Sequence, residues 1–189
     1  MAIRTVPPAP RRLRRSRRMT EAEYLALPET KPYLEFVDGE VLQKAMPDST
    51  HGDLVGEVDG RFWHYRTTAG GRFGPERRAR LREGIYRLPD TAYWSRGRAS
   101  GDDSIPSVAV EVLPPDDSRT DARAKCRAYV EYGVVTAWLL DPVRRTAEIF
   151  GDGQDGAVLT PPDGVLVSSA MPGFALPLNE LFSALDPER

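Results

Sequence analysis

The sequence of 189 residues has little of what several classes of protein require. It contains one cysteine, which excludes a disulfide framework and a zinc site built from thiolates, so we expect a cytoplasmic protein. No apolar run approaches the ~20 residues that a membrane-spanning helix needs, and no secretory signal opens the chain. We therefore expect no membrane association. The two histidines, His51 and His64, lack the spacing of a helical zinc site.

Lysine is also scarce in this sequence. Of 26 basic residues only three are lysine, namely Lys31, Lys44 and Lys125, and the others are arginine. A chain this biased toward arginine would keep lysine where a compact donor that can change its protonation state is needed. Chance alone could also leave three.

Charge is divided unevenly along the chain, although the formal net charge is only -2. Residues 1–18 contain seven arginines and no acid, whereas residues 19–189 contain 19 basic and 28 acidic side chains. A tail so charged and so poor in apolar residues cannot bury enough surface to fold, so we predict that residues 1–18 are disordered. Two interpretations of this tail stay open: a nucleic-acid-binding arm, or translated sequence upstream of a start at Met19.

Residues 19–186 are predicted to form one domain in which helices and strands alternate. Thr20 and Glu23 have the spacing of a helix capping box. The pair Asp38-Gly39 lies between two strand-like runs and predicts a β-hairpin. Two later runs, VAVEVL and VVTAWLL, are continuously apolar, which is typical of strands buried on both faces. Further helices are expected over residues 51–66 and 118–132 and near the end of the chain, so the fold class is α/β or α+β with a mixed sheet.

The segment GDGQDG, residues 151–156, matches the glycine spacing of a dinucleotide-binding loop. That motif requires a helix to begin at its last glycine, and the sequence AVLTPPDG that follows cannot begin one. Two aspartates would also face the pyrophosphate. We therefore predict a hairpin loop.

Glu111 lies in the middle of the apolar run VAVEVL. A glutamate inside a buried strand costs several kcal/mol unless it is paired or binds a cation. The alternative is that Glu111 points to the solvated face of an edge strand. Lys125 borders the apolar stripe of the following helix, which aims its ammonium at the sheet, while Arg123, Arg127 and Glu131 fall on the opposite, solvated side. A lysine that reaches solvent past the apolar surface is the alternative for Lys125.

Two carboxylates and a lysine suit the hydrolysis of phosphodiesters. Asp90 and Glu111 could bind Mg²⁺ or Mn²⁺, which prefer oxygen ligands. Such a cation lowers the pKa of a bound water and offsets charge on a phosphoryl oxygen. Lys125 could orient or deprotonate the attacking water, or stabilise the charge that develops on the phosphate.

Several segments follow one another in a distinctive order: YLEFVDGE, a helix that begins at a histidine, RLPDTAYWSRGR, VAVEVLPPDD, KCRAYVEYGVVTAWLLDP and MPGFALPLNELF. In this order they resemble the Uma family of proposed endonucleases, which belongs to the PD-(D/E)XK restriction-endonuclease-like superfamily. The resemblance covers about residues 19–183. It implies a restriction-endonuclease-like mixed sheet flanked by helices, with an N-terminal β-hairpin.

The resemblance also implies roles for particular residues. Asp90 matches the metal-binding aspartate and Glu111 the second acid. Leu113 stands where many members of the superfamily have lysine, and the family pattern moves that lysine to the next helix, which fits Lys125.

Two more residues match positions that the family fills with the same types. These are Glu35 and His51, which the resemblance places at the edge of the site as a further ligand or phosphate contact. The sequence departs from the family pattern at Pro114-Pro115, where a serine usually follows the strand, and at Gly84 and Arg87, where a smoother strand is common.

Residues 72–98 carry the positive charge that DNA phosphates would require. They contain eight arginines against three acids, and the interleaved aromatic residues could stack on bases. The alternative is that these charges protect the edges of strands. The predicted nucleic-acid contacts are Arg78, Arg80, Arg82 and Arg87.

Together these observations predict a metal-dependent endonuclease that hydrolyses phosphodiester bonds of DNA. One alternative is an inactive nuclease-like domain that binds nucleic acid or a protein partner. Another is an enzyme that uses the same carboxylates on a small molecule. A homodimer is expected by analogy, because cleavage of both strands needs two sites.

Overall fold

The computed structural model describes residues 18–98, 103–114 and 118–186. The prediction that residues 1–18 are disordered therefore falls outside the described residues, apart from Arg18. The helices are α1 (Glu21–Leu25), α2 (Ser49–Ala69), α3 (Arg119–Glu131) and α4 (Leu178–Ser183). The strands are β1 (Leu34–Val37), β2 (Glu40–Gln43), β3 (Arg72–Pro75), β4 (Ala79–Arg82), β5 (Ile85–Arg87), β6 (Thr91–Trp94), β7 (Val108–Val112), β8 (Thr136–Asp141), β9 (Thr146–Gly151), β10 (Gln154–Leu159), β11 (Val165–Leu166) and β12 (Leu176–Pro177).

A six-stranded mixed sheet forms the centre of the fold, with the strand order β10-β9-β8-β7-β6-β3. Strands β7 and β8 are parallel, and the remaining neighbours are antiparallel. A parallel pair needs a crossover connection, and α3 provides it. The predicted mixed sheet flanked by helices is confirmed.

The central strand β7 is buried on both faces, and its residues alternate between two layers. Val108, Val110 and Val112 pack into the core that contains residues of α2 and α4. Ala109 packs into the second core, beneath α3. Because side chains alternate along a strand, Glu111 projects from the same face as Ala109, toward α3.

Helix α2 anchors the first core through residues spaced one turn apart. Leu54, Val58 and Phe62 are completely buried. Each such side chain contributes roughly 1.5–3 kcal/mol by leaving water. Asp48 caps the beginning of this helix by accepting a hydrogen bond from the backbone N–H of His51 at 2.8 Å, which fixes the position of His51.

A second, antiparallel sheet has the strand order β2-β1-β5-β4. The predicted hairpin joins β1 to β2, and its turn residues Asp38 and Gly39 have φ angles of 47° and 90°. Both angles lie in the left-handed region that a tight hairpin turn requires, which explains the Asp-Gly pair. The predicted capping box at Thr20 and Glu23 is also present.

The segment at residues 151–156 forms a hairpin, as predicted. Strands β9 and β10 pair across it in antiparallel register, with Gly151 opposite Gln154. Asp152 and Gly153 adopt positive φ angles in the turn.

The orientation of α3 was predicted correctly except at one residue. Cys126 and Tyr129 are buried against the sheet, and Arg127 and Glu131 are exposed. Arg123 is not simply solvated, because its guanidinium binds Glu148 through two hydrogen bonds of 2.6 and 3.1 Å. Helical phase places the Cα atom of a residue, but a long arginine can reach back to the sheet.

No helix within residues 18–98, 103–114 and 118–186 combines the length and apolarity needed to cross a membrane.

Candidate active site

A cavity of about 420 Å³ lies where the first hairpin, the start of α2, the residue before β6, the strand β7 and the helix α3 meet. Its interior is strongly ionic. The charged and titratable side chains at its centre are Glu35, Lys44, His51, Arg87, Asp90, Glu111 and Lys125.

Asp90 directly precedes β6 and is 5% exposed. Its Oδ2 accepts a hydrogen bond of 2.7 Å from the backbone N–H of Val112, which ties it to the end of β7. Its Oδ1 lies 2.8 Å from the Nζ of Lys44, and Oδ2 lies 3.1 Å from the Nε2 of His51. Burial by itself would raise the pKa of Asp90, but the charges of Lys44 and His51 outweigh burial and hold that pKa well below its usual range.

His51 stands at the beginning of α2, with its imidazole facing Asp90. Burial lowers the pKa of His51, but its hydrogen bond to Asp90 and the charge of that carboxylate raise it more. The net effect raises the pKa of His51, which favours the imidazolium beside Asp90.

Glu111 is buried on the α3 face of β7. Its Oε1 accepts a hydrogen bond of 2.8 Å from the hydroxyl of Tyr129, and the Nζ of Lys125 lies 2.9 Å away. Burial raises the pKa of Glu111 to about 7, against the lowering effect of Lys125, and the charge of Asp90 adds to the increase. Glu111 is therefore buried and paired, one of the two outcomes expected for a glutamate in an apolar run, and the alternative of a solvated edge strand is wrong.

Glu35 lies on β1 and is 4% exposed. It accepts hydrogen bonds from the backbone N–H of Leu88 at 2.9 Å and from the guanidinium of Arg87 at 2.7 Å. The Nζ of Lys125 is 2.8 Å from its Oε1. Burial raises the pKa of Glu35, but Lys125 and Arg87 more than offset this and lower it to about 2.

Lys125 bridges the two sheets, because it contacts Glu35 on β1 and Glu111 on β7. Its side chain is 15% exposed. Burial lowers the pKa of Lys125, but the carboxylates of Glu111 and Glu35 raise it above its ordinary value. The side chain is therefore held as an ammonium that donates to both acids. A lysine that escapes to solvent was the alternative, and the structure excludes it.

Every residue predicted for the catalytic site lies in this one cavity: Asp90, Glu111, Lys125, Glu35 and His51. The roles of these residues stay predictions. Sequence reasoning placed Glu35 and His51 at the edge of the site, whereas both make direct ion pairs at its centre.

Two residues of the cluster were missed. Lys44 follows β2 and binds Asp90, and Tyr129 orients Glu111. The scarcity of lysine was a signal for Lys44, since two of the three lysines in the chain meet here. No local pattern could have told Lys44 from Lys31, which lies outside the cavity and is exposed.

The donor atoms of the cavity suit a hard divalent cation. Asp90, Glu111 and Glu35 offer carboxylate oxygens, the ligands that Mg²⁺ and Mn²⁺ prefer. Among the residues that the structure describes, no three such side chains already form a metal-binding group. The carboxylates bind protein cations instead, Lys44 among them. The chemistry of these donors fits a divalent cation that displaces a protein cation, such as the ammonium of Lys44, from its carboxylate.

The four arginines predicted to contact nucleic acid each have a carboxylate partner. Three of them have half-exposed side chains on β4 or just before it, whereas Arg87 points into the cavity toward Glu35, with 16% of its side chain exposed. Contact with nucleic acid stays a prediction. The pairs are Arg78–Asp103, Arg80–Glu21, Arg82–Asp38 and Arg87–Glu35.

A mixed sheet flanked by helices, with acids and a lysine clustered at its centre, defines a nuclease-like class of fold. A solved structure supports this class: the crystal structure of "a putative nuclease belonging to DUF820" from Anabaena variabilis is 26% identical, with a TM-score of 0.79 over 88% of this chain and 99% of that chain. The chain belongs to the Uma2 family, described as "Putative restriction endonuclease", whose sequence model matches residues 21–179. No curated protein matches the sequence.

Proposed function

We propose that this protein is a metal-dependent endonuclease that hydrolyses phosphodiester bonds of DNA. The observation that carries the proposal is the ammonium of Lys125, which lies within 3 Å of both Glu35 and Glu111 in the cavity that also holds Asp90. Membership of a family described as "Putative restriction endonuclease" supports the same reaction.

Asp90 and Glu111 would hold the divalent cation, with Glu35 or His51 as a further ligand or phosphate contact. A bound cation supplies Lewis acidity: it lowers the pKa of a water molecule and offsets charge on the phosphoryl oxygens. The hydrogen bonds from the Val112 N–H to Asp90 and from the Tyr129 hydroxyl to Glu111 keep these carboxylates oriented.

The geometry of the cavity supports a role for Lys125 as a hydrogen-bond donor, because its ammonium already faces two carboxylates. Lys125 has a raised pKa and stays an ammonium, so it serves as a donor that stabilises negative charge on the phosphate rather than as a base.

The experiment is cleavage of supercoiled plasmid DNA by the purified protein with Mg²⁺, with Mn²⁺, or with a chelator. We expect nicking that requires the cation. Asp90→Asn, Glu111→Gln and Lys125→Met should each lower the rate by at least ~100-fold, which is typical for the loss of a charged group that acts in the transition state.

Lys31→Met is the matched control, because it removes a lysine charge outside the cavity and should cleave like the wild type. Circular dichroism should show that every variant is folded. Cleavage that survives Glu111→Gln and Lys125→Met unchanged would contradict the assignment of the site.

A second candidate is a nuclease-like domain that binds nucleic acid without cutting it. One observation favours it: the carboxylates of Glu35 and Asp90 already have protein cations beside them, so they do not need a metal for charge compensation. A folded wild-type protein that binds DNA but cleaves none under any of these conditions would support this candidate instead.

A further inference from the structure

Lys44 places its ammonium on the carboxylate that a divalent cation would use. Its Nζ donates to Oδ1 of Asp90 at 2.8 Å and to the backbone carbonyl of Leu88 at 2.9 Å. Its side chain is only 10% exposed. The position is fixed by the chain, because the backbone N–H of Lys44 donates to the carbonyl of Tyr33 across the first hairpin.

Each buried carboxylate in the inner part of the cavity has a cationic partner. Three carboxylates, at Glu35, Asp90 and Glu111, are no more than 7% exposed, and each needs a compensating charge in so dry a place. Lys125 serves Glu35 and Glu111, and Arg87 also binds Glu35. The ammonium nearest to Asp90 is that of Lys44. A divalent cation that binds Asp90 must therefore compete with this ammonium.

A second carboxylate lies within reach of the same ammonium. Oε1 of Glu76 is 3.9 Å from the Nζ of Lys44, and the side chain of Glu76 is 31% exposed. The backbone N–H of Glu76 donates to the carbonyl of Asp90 at 3.2 Å, which keeps the two acids side by side. Lys44 thus stands between a buried acceptor at 2.8 Å and a more exposed one at 3.9 Å.

We propose that Lys44 is a built-in counter-cation that occupies the metal-binding carboxylate of Asp90 and moves to Glu76 when a divalent cation binds. Lys44 thereby sets the affinity of the site for the cation. This inference rests on the proposed function, because the cation is the one that the nuclease reaction would use. It assigns Lys44 and Glu76 as residues that control metal binding, not as residues that touch the substrate.

The test is the affinity for Mn²⁺ in the absence of DNA, measured by isothermal titration calorimetry at one fixed pH. Lys44→Met removes the competing charge and keeps the apolar length of the side chain, so Mn²⁺ should bind at least ~10-fold more tightly than to the wild type, as expected when a unit charge a few ångströms away is lost. Lys44→Gln should act in the same direction, and it serves as the second neutral variant if Lys44→Met does not fold.

Two variants serve as controls for the loss of charge. Lys31→Met removes an exposed lysine elsewhere and should bind Mn²⁺ like the wild type. Lys44→Arg keeps the positive charge and should show no gain in affinity. Equal affinity in the wild type and both neutral variants, weaker binding by those variants, or no Mn²⁺ binding by either neutral variant would each overturn the proposal.

Glu76 is tested with a double-mutant cycle. Glu76→Gln deprives the displaced ammonium of its acceptor, so it should weaken Mn²⁺ binding in the wild-type background. In the Lys44→Met background the same substitution should have little effect, because no ammonium has to be received. An equal loss in both backgrounds would mean that Glu76 acts on the cation directly, and the proposed movement of Lys44 would be wrong.

These results separate the inference from the proposed function. Wild-type cleavage of DNA together with unchanged Mn²⁺ affinity in both neutral Lys44 variants would support the proposed nuclease activity and contradict the role of Lys44 as a counter-cation. Tighter Mn²⁺ binding by those variants, without DNA cleavage by the wild type, would support the role of Lys44 as a counter-cation and contradict the proposed nuclease activity.

Discussion

Glu35 is a buried carboxylate that stays ionised because three cations surround it. Burial opposes ionisation, but Lys125, Arg87 and Lys44 together lower its pKa to about 2. A carboxyl whose pKa is lower in the folded state than in the unfolded chain stabilises the fold only where it is ionised. This contribution is complete above pH ~4.5, the ordinary pKa of glutamate, and is lost as the pH falls toward 2.

Glu35→Gln should remove this pH dependence. We expect the difference in unfolding free energy between the wild type and the variant to shrink by on the order of 3 kcal/mol as the pH falls from 5 to 2. Urea denaturation followed by circular dichroism across that range measures the difference. A difference that stays constant with pH would show that Glu35 is not held ionised by its neighbours.

At the scale of elements, α3 is fastened to the sheet by a buried ion cluster. Glu148 on β9 is 2% exposed and binds Arg119 at 3.0 Å and Arg123 at 2.6 Å. Arg119 also binds Asp141 at the end of β8. Because α3 carries Lys125, this cluster holds the helix in the position from which its ammonium reaches the cavity.

Removing the arginines of the cluster while Glu148 stays in place should lower the free energy of unfolding. Arg123→Met alone leaves Arg119 to neutralise Glu148, so we expect a loss of about 1 kcal/mol in unfolding free energy. Arg119→Met with Arg123→Met strands a buried carboxylate, and we expect a loss of about 3–5 kcal/mol, more than the sum of the single variants. Urea denaturation at neutral pH measures each loss.

Adding Glu148→Met to the double variant is the control for this prediction. Replacing a buried ion pair with apolar groups is often neutral, and Asp141 keeps Arg144 and the backbone N–H of Val143 as partners, so most of the lost stability should return. If stability does not return, the arginines act through their packing on the sheet and not through the charge of Glu148.

At the scale of the whole molecule, the predicted DNA surface must act within a body of net negative charge. Residues 19–189 contain 19 basic and 28 acidic side chains. Three exposed arginines, Arg78, Arg80 and Arg82, form an arginine strip whose members are each paired with a carboxylate, so DNA phosphates would have to compete with these partners. The side chains of Arg78, Arg80 and Arg82 are 39, 45 and 41% exposed.

Replacing Arg78, Arg80 and Arg82 together with glutamine should weaken DNA binding if the strip is the interface. Each phosphate contact that is lost should reduce the slope of log affinity against log salt by about 0.9, so we expect a reduction of up to about 3. Fluorescence anisotropy of a labelled duplex at several salt concentrations measures this slope.

A matched triple variant distinguishes the effect of losing contacts in the arginine strip from the effect of lowering the net charge. Its three arginines are also ion-paired and similarly exposed, but they lie elsewhere on the surface, so the slope should stay unchanged. An equal reduction in both triple variants would mean that DNA senses only the total charge. The matched residues are Arg61, Arg127 and Arg145, paired with Glu180, Asp155 and Asp186.

The sequence by itself determined the features that depend on neighbours along the chain. The hairpin at Asp38-Gly39 follows from the left-handed turn that these two residues tolerate. The buried strand with Glu111 inside it, and the direction of Lys125, follow from the periods of two and 3.6 residues in strands and helices. These local rules, together with the family resemblance, brought Asp90, Glu111 and Lys125 into one hypothesis.

Only the tertiary structure decided which distant residues meet. Lys44 and Asp90 are 46 positions apart, and their contact depends on how the second sheet packs against the first. Arg82 and Asp38 are 44 positions apart. Because they are paired, Arg82 is exposed but would have to leave Asp38 before it could bind a phosphate. Sequence patterns specify the face of a helix or strand on which a side chain lies. The partner that the side chain meets depends on how whole elements pack, because residues far apart in the chain determine that packing together.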